Sequence, residues 1–328
     1  MPTTVDVAIP VYERSTFVAE AVRSVLAQTR GDWRLTVSED GPGNAAVRAA
    51  VEPFLDDPRI SHVTTGTRVG LAAHKTRLIR TGSAPYVAIL DDDDLWDDDW
   101  LARRVEFLER HPECGFVFSE HLDIDDGGTV IGETPFLFPE GSVSRETFMR
   151  TCMQRNIVGT PTMLVRRGAY EACGDWFDTS FPRICDYEVA LRLGAHFDVG
   201  YLRTRDARYR LHTQRMSLRH DGGMDFVRLV DHLDALLAEH LPQLRLTDDE
   251  RRRRRASWLV SAALDAIEAE DRGQAARLLR QAAREDGRAL MTARAAGAAF
   301  ALLPGERGAA WLSRLRRWAE VRRAGAQA

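Results

Sequence analysis

The sequence has no long apolar run. Its longest such stretch, Ala295 to Leu303, is far too short to span a bilayer. Cysteine is scarce: Cys114, Cys152, Cys173 and Cys185 lack the paired spacing of a metal knuckle and read as reduced, mostly packing residues. No charge of one sign dominates. The 45 Lys and Arg against 49 Asp and Glu leave a net charge of -4, which gives no reason to expect nucleic acid as a partner. No secretory leader pattern precedes the first strand-like segment, so the expectation is a cytoplasmic protein. With 328 residues, 44% hydrophobic and 29% charged, the chain can build one large domain or a domain with an appendage.

What the sequence does have is a concentration of carboxylates. Tyr86 to Leu90 is a short apolar run that reads as a strand buried on both faces, and it stops abruptly at Asp91, Asp92, Asp93 and Asp94. Asp97, Asp98 and Asp99 follow, ahead of Trp100, Leu101, Val105 and Leu108 at helical spacing. The later three read as caps of that helix. The first four, taken alone, are compatible either with capping or with a ligand site at the carboxyl edge of a sheet, where a hard divalent cation holding phosphate oxygens would answer their repulsion.

The rest of the first half alternates in pattern. Val5 to Val11 reads as a strand with a turn at Tyr12 to Arg14. Ser15 is a plausible N-cap for a helix with an apolar face at Phe17, Val18, Ala21, Val22, Val25 and Leu26. Leu35 to Ser38 is a second strand ending at Glu39-Asp40-Gly41, a helix starts near Ala45, Ile60 to Thr65 is a third strand, and Gly70 opens a helix through Lys75. This alternation predicts an α/β fold with a doubly wound, mostly parallel sheet. In such a sheet Asp40 and Asp91 to Asp94 share one edge, which favours a site over two unrelated caps.

Gly115 to Ser119 is a further strand, and residues 123–141 read as a long loop whose Phe136, Leu137 and Phe138 form either a lid or core packing. Thr162 to Val165 is a strand and Ala169 to Cys173 a short helix. Asp186 and Glu188 lie near the start of a helix leading to Leu193, and Tyr209-Arg210-Leu211-His212 ends another strand. From Asp225 the pattern is all helical. The expected division is 1–222 for the α/β part and 223–328 for the helical part. The basic, Trp-bearing segment Trp311 to Arg323 leaves two readings: packing on the rest of the chain or on a second copy as a homo-oligomer, or peripheral contact with an anionic membrane.

Taken together in order, several of these segments resemble glycosyltransferase family 2, the inverting, metal-dependent sugar transferases of GT-A fold. The segments are Ala8-Ile9-Pro10-Val11-Tyr12, Ser24 to Thr29, Glu39-Asp40-Gly41, Leu90 to Asp94, Gly174 to Leu193 and Tyr209 to His212. The resemblance covers residues 4–220. It implies a hexosyltransferase that uses a nucleotide-sugar donor and a saccharide, lipid-linked or small-molecule acceptor. Pro10, Tyr12 and Glu13 would line the nucleotide pocket, and Asp40 would hold the base of a UDP or dTDP donor. Asp93 would ligate Mn²⁺ or Mg²⁺, with Asp91 and Asp92 shaping the site and the ribose pocket, and His212 would complete the metal or diphosphate site. Asp186 would be the general base, with Glu188 as the alternative. Two departures stand out: Lys75-Thr76 where the family often has Arg-Asn, which makes Lys75 a candidate phosphate contact, and Cys185 where an acidic residue often precedes the base. Two other classes compete. A sugar nucleotidyltransferase would want a Gly-rich basic loop where Tyr12-Glu13-Arg14 stands, and a binding module without turnover would bind donor only.

Overall fold

In the computed structural model, the described residues are 3–12, 14–154, 156–174, 176–212 and 223–291. They belong to two compact units, Met1–His212 and Thr213–Ala328.

The first unit runs β1 (Val5–Val11), α1 (Val18–Leu26), β2 (Trp33–Glu39), α2 (Ala45–Val51), β3 (Ile60–Thr64), α3 (Leu71–Arg80), β4 (Tyr86–Ile89), β5 (Leu95–Trp96), α4 (Trp100–Arg110), β6 (Cys114–Ile124), β7 (Val130–Glu133), β8 (Gly141–Val143), α5 (Arg145–Cys152), β9 (Leu164–Arg166), α6 (Arg167–Ala172), α7 (Cys185–His196) and β10 (Asp198–Arg210). The sheet order is β3-β2-β1-β4-β9-β6-β10-β5, with β7 beside β6 and β8 beside β10. The block β3-β2-β1-β4 is parallel, as the alternation predicts. β9 then enters antiparallel to both β4 and β6, while β10 is parallel to β6.

This topology determines what reaches the working edge. β1 and β4 bury nearly every side chain, so neither strand can carry charge until it ends. Just past the ends of β4 and β2 the backbone stays clamped to β1: Leu90 N–H donates to Ala8 O and Asp40 N–H to Val11 O, both at 3.0 Å. The two acidic turns are thereby fixed on either side of β1. Because β9 runs the opposite way, the segment before Leu164 lies at the edge where β4 ends, and this brings Thr160 there.

α1, α2 and α4 share one apolar core with β1, β2 and β4, built on Val18, Val22, Val25, Val47, Trp100 and Val105. α3 packs against β1. Toward the β6 and β10 side of the sheet, Arg104 is completely buried. It stacks on Trp100 at 3.9 Å and is held by both oxygens of Asp206 at 2.9 Å.

Three local expectations are corrected. Ser15 does not cap α1, whose N-cap is Phe17 with no side-chain cap bond; the chain makes another turn before the helix starts. Asp97 to Asp99 do not cap α4 with their side chains. Gln28 does that from a distance, its Oε1 accepting the Leu101 N–H at 2.9 Å while its amide donates to Asp97 O at 2.8 Å. Asp97 instead pairs with Arg208. Residues 123–141 are not a patternless loop: β6 extends to Ile124 and pairs with β7, and Phe138 packs edge-on against Tyr201.

The second unit contains α8 (Gly223–His240), α9 (Asp248–Glu268) and α10 (Arg272–Glu285). α9 opens on a capping box in which Thr247 and Glu250 exchange side-chain and backbone bonds. Its core is a small-residue seam of Ala256, Ala263, Ala275 and Ala282 with Leu259, Ile267 and Leu278. No helix among the described residues is long and apolar enough to cross a membrane. Trp311 to Arg323 and Ala295 to Leu303 lie outside the described residues.

Candidate active site

Four carboxylates leave β4 together, and the structure sends them different ways. Asp94 is fully buried and its Oδ1 accepts the Arg210 N–H at 2.9 Å. Burial, then Asp93 and Asp91, push its carboxyl well above the usual range. Asp92 and Asp93 turn toward one guanidinium, that of Arg14, at 2.8 and 2.9 Å. His212, arriving from the end of β10, places Nε2 2.9 Å from Asp93 Oδ2 and 3.0 Å from Arg14. Asp91 points to the other side, where Lys75 Nζ lies 3.1 Å away.

This centre is crowded with negative charge. Burial and the neighbouring Asp93 push the Asp92 carboxyl up to about 8, although Arg14 opposes them. Asp92 Oδ2 and Asp94 Oδ2 are buried without a hydrogen-bond partner. Orphaned carboxylate oxygens facing a cluster of their own sign fit a cation, and Arg14 already acts as an organic one beside them, on Asp92 Oδ1 and Asp93 Oδ2. Carboxylate oxygens with one imidazole are a donor set open to Mg²⁺ or Mn²⁺, so the residues present fit a hard divalent ion.

On the β2 side, Asp40 is nearly buried and clasps the entrance to α3, accepting the N–H groups of Val69 at 2.7 Å and Gly70 at 2.8 Å. Gly70 has φ +87, a conformation that suits glycine, and it turns its amide onto the carboxylate. A carboxylate has about four acceptor positions, so Asp40 keeps capacity for a further donor. Tyr12, at the end of β1, lies under the Arg68 guanidinium at 4.0 Å, and its hydroxyl is buried without a hydrogen-bond partner. Pro10 is buried within β1 opposite Ser38. Glu13 lies outside the described residues.

On the α7 side, Asp186 is half-buried in the first helical turn, and its Oδ1 accepts the Tyr187 N–H at 2.8 Å. Its carboxyl is raised by burial, which Lys75 partly counters. Glu188, two residues on and so on the opposite side of α7, is entirely buried. Arg192 grips both its oxygens at 2.8 and 3.0 Å. The structure therefore brings Asp91, Asp92, Asp93, His212, Lys75 and Asp186 into one chain of contacts, and it seals Glu188 into a separate ion pair.

Two participants escaped the sequence reading, Arg14 and Thr160, and Arg210, read there only as part of the Tyr209 to His212 segment, had no role assigned. Arg210 is the strut of the site. Its side chain donates to Asp93 O, Asp125 O, Asp126 O and Glu20, and it covers Phe17 at 4.3 Å. The only signal for Arg14 was the charge imbalance itself, since buried carboxylates require basic neighbours. Nothing in spacing pointed to Thr160.

Comparison with known proteins follows the same line. The model of the family described as Glycosyl transferase family 2 matches residues 6–173. Over 191 residues, 58% of this chain, the sequence is 24% identical to the putative colanic acid biosynthesis glycosyl transferase WcaA of Escherichia coli, and it spans 65% of that protein, less than two thirds. The fold matches the S. aureus TarS 1-349 complex with UDP-GlcNAc at TM-score 0.61 and 13% identity, covering 87% of this chain and 92% of that one. It also matches the mannosyltransferase PcManGT of Pyrobaculum calidifontis, solved with GDP-Man and Mn2+, at TM-score 0.52 and 18% identity, covering 95% and 85%. The architecture is thus that of the GT-A fold.

Proposed function

The chain belongs to glycosyltransferase family 2, and from that premise we propose that it moves a sugar from a UDP or dTDP donor to an acceptor hydroxyl by a single inverting displacement. The observation that carries this reading is the convergence of Asp92, Asp93 and His212 on one cationic centre, with Asp91 leading away from it toward Asp186.

In this reading Pro10 and Tyr12 line the base pocket, and Asp40 spends its remaining acceptor capacity on the pyrimidine ring N–H. Asp93 and His212 would hold Mn²⁺ or Mg²⁺, with Asp92 beside them; the ion supplies Lewis-acid neutralisation of the diphosphate when bound. WcaA supports the reading by its name, TarS by its complex with UDP-GlcNAc, and PcManGT by its complex with GDP-Man and Mn2+. Asp186 takes the proton of the attacking hydroxyl as the bond to the anomeric carbon forms. Inversion follows when that hydroxyl attacks the face opposite the leaving diphosphate, through an oxocarbenium-like state. Glu188, with both oxygens committed to Arg192, is disfavoured as the base.

A thermal-shift panel of UDP-, dTDP- and GDP-sugars with and without Mn²⁺ tests the proposal. A donor at a hundredfold its Kd should stabilise the protein by about 2.7 kcal/mol. The expected result is a Mn²⁺-dependent rise with uridine or thymidine diphosphate sugars. No rise with any nucleotide sugar under either condition would overturn it.

A further inference from the structure

Lys75 is where the structure departs most from a phosphate-contact reading. It sits in the middle of α3 at 2% exposure, beneath the site rather than at its mouth. A buried ammonium needs partners for its three donors. Two are visible: Asp91 Oδ1 at 3.1 Å and the Thr160 hydroxyl at 3.3 Å. Since Thr160 Oγ1 accepts from Lys75, its own hydrogen is left to point away, and Asp186 Oδ2 lies 3.5 Å from it. That contact is long, as catalytic hydrogen bonds often are before substrate arrives. The other Asp186 oxygen is already fixed by the Tyr187 N–H.

We propose that Lys75 is a positioning residue for the base: bridging Asp91 and Thr160, it orients the Asp186 carboxylate and supplies the positive charge beside it. This rests on the reading of Asp186 as the base. The charged or titratable groups near Asp186 are Lys75 from α3, Asp91 from the turn after β4, and Cys185 on its own helix. Burial pushes the Cys185 thiol up to about 12, so it is neutral. Lys75 itself is destabilised by burial but held charged by Asp91 and Asp186, with a pKa above the ordinary lysine value. Among the described residues it is the cation in this set. Without it, only backbone N–H groups, that of Tyr187 foremost, oppose burial and Asp91, and both of these favour the protonated form of Asp186. The base would then lose function at neutral pH while the donor site kept its own contacts.

The test uses UDP release from UDP-glucose, UDP-galactose or UDP-N-acetylglucosamine across pH, together with calorimetry of UDP binding with Mn²⁺. In Lys75→Met the acidic limb of kcat/KM should move up by about one pH unit or more, with UDP affinity within about threefold of wild type, a shift of less than ~0.7 kcal/mol. Lys75→Arg should restore the limb. Thr160→Val retains the charge and should lower kcat without weakening UDP, which keeps the idea testable if Lys75→Met does not fold. UDP binding weakened tenfold with an unmoved limb would make Lys75 a diphosphate contact and overturn the proposal, as would an unchanged kcat in Thr160→Val. Asp186→Asn separates the two levels. If it retains the wild-type rate, the base assignment itself is wrong. If it is inactive while the Lys75 variants behave as wild type, only the positioning role fails.

Discussion

Glu188 and Asp186 lie two residues apart on α7, yet they should respond to substitution in opposite ways. Glu188 is fully buried, and its carboxylate carries two charge-assisted bonds from Arg192 at 2.8 and 3.0 Å. Removing one member of a buried ion pair costs about 3–5 kcal/mol, because the other charge is left stranded. Arg192 keeps partial compensation from the carbonyls of Cys173 and Trp176 at 3.1 and 3.3 Å, so Glu188→Gln should fall at the low end. For a unit of this size each kcal/mol moves Tm by about 2–4 °C, which gives a drop of about 6–12 °C. The assay is differential scanning fluorimetry, paired with initial rates measured well below both midpoints. Glu188→Gln should melt early yet retain most of its rate while folded. Asp186→Asn should melt within a few degrees of wild type and lose about 10²–10⁴ in rate, the range for a general base. A Glu188→Gln protein with wild-type Tm and a hundredfold slower rate would refute this division.

Two further outcomes follow from the geometry. Arg14 shares oxygens of Asp92 and Asp93, so it competes with any divalent ion for them; Arg14→Ala should bind Mn²⁺ more tightly in an electron paramagnetic resonance titration without nucleotide, and weaker binding would show that Arg14 supports the ion. Asp206 is buried, which raises its pKa, but Arg104 and hydrogen bonds outweigh this and lower it in the fold. Its stabilising contribution is therefore full above the usual carboxylate range and is lost as pH falls through the lower folded value, so Asp206→Asn should depress Tm strongly at pH 7 and less at the lowest pH at which the protein stays folded. An equal depression at both would contradict the ion-pair account.

The parallel block and the shared edge of Asp40 and Asp91 to Asp94 were legible because they follow from local signals: apolar runs that end in acid, and helices between them. β9 was legible only as a strand. Its three residues, Leu164–Arg166, carry no mark of direction, and its antiparallel insertion between β4 and β6 is a non-local event. That insertion places Thr160, so the Lys75 bridge could not be read from spacing. The same holds for the cap of α4 by Gln28, which lies 73 residues from Leu101. Among the four aspartates, sequence could not distinguish Asp94, consumed by the Arg210 backbone, from Asp92 and Asp93, because the difference lies in which strand end faces each one.

The claim that the other assignments depend on is that Asp93 joins a metal to a donor diphosphate. Isothermal titration of UDP into wild type and Asp93→Asn, each with Mn²⁺ and with EDTA, addresses it directly. The account predicts that wild type binds UDP at least about tenfold tighter with Mn²⁺, a gain of ~1.4 kcal/mol, and that Asp93→Asn loses this gain. Equal UDP affinity in all four titrations would contradict it.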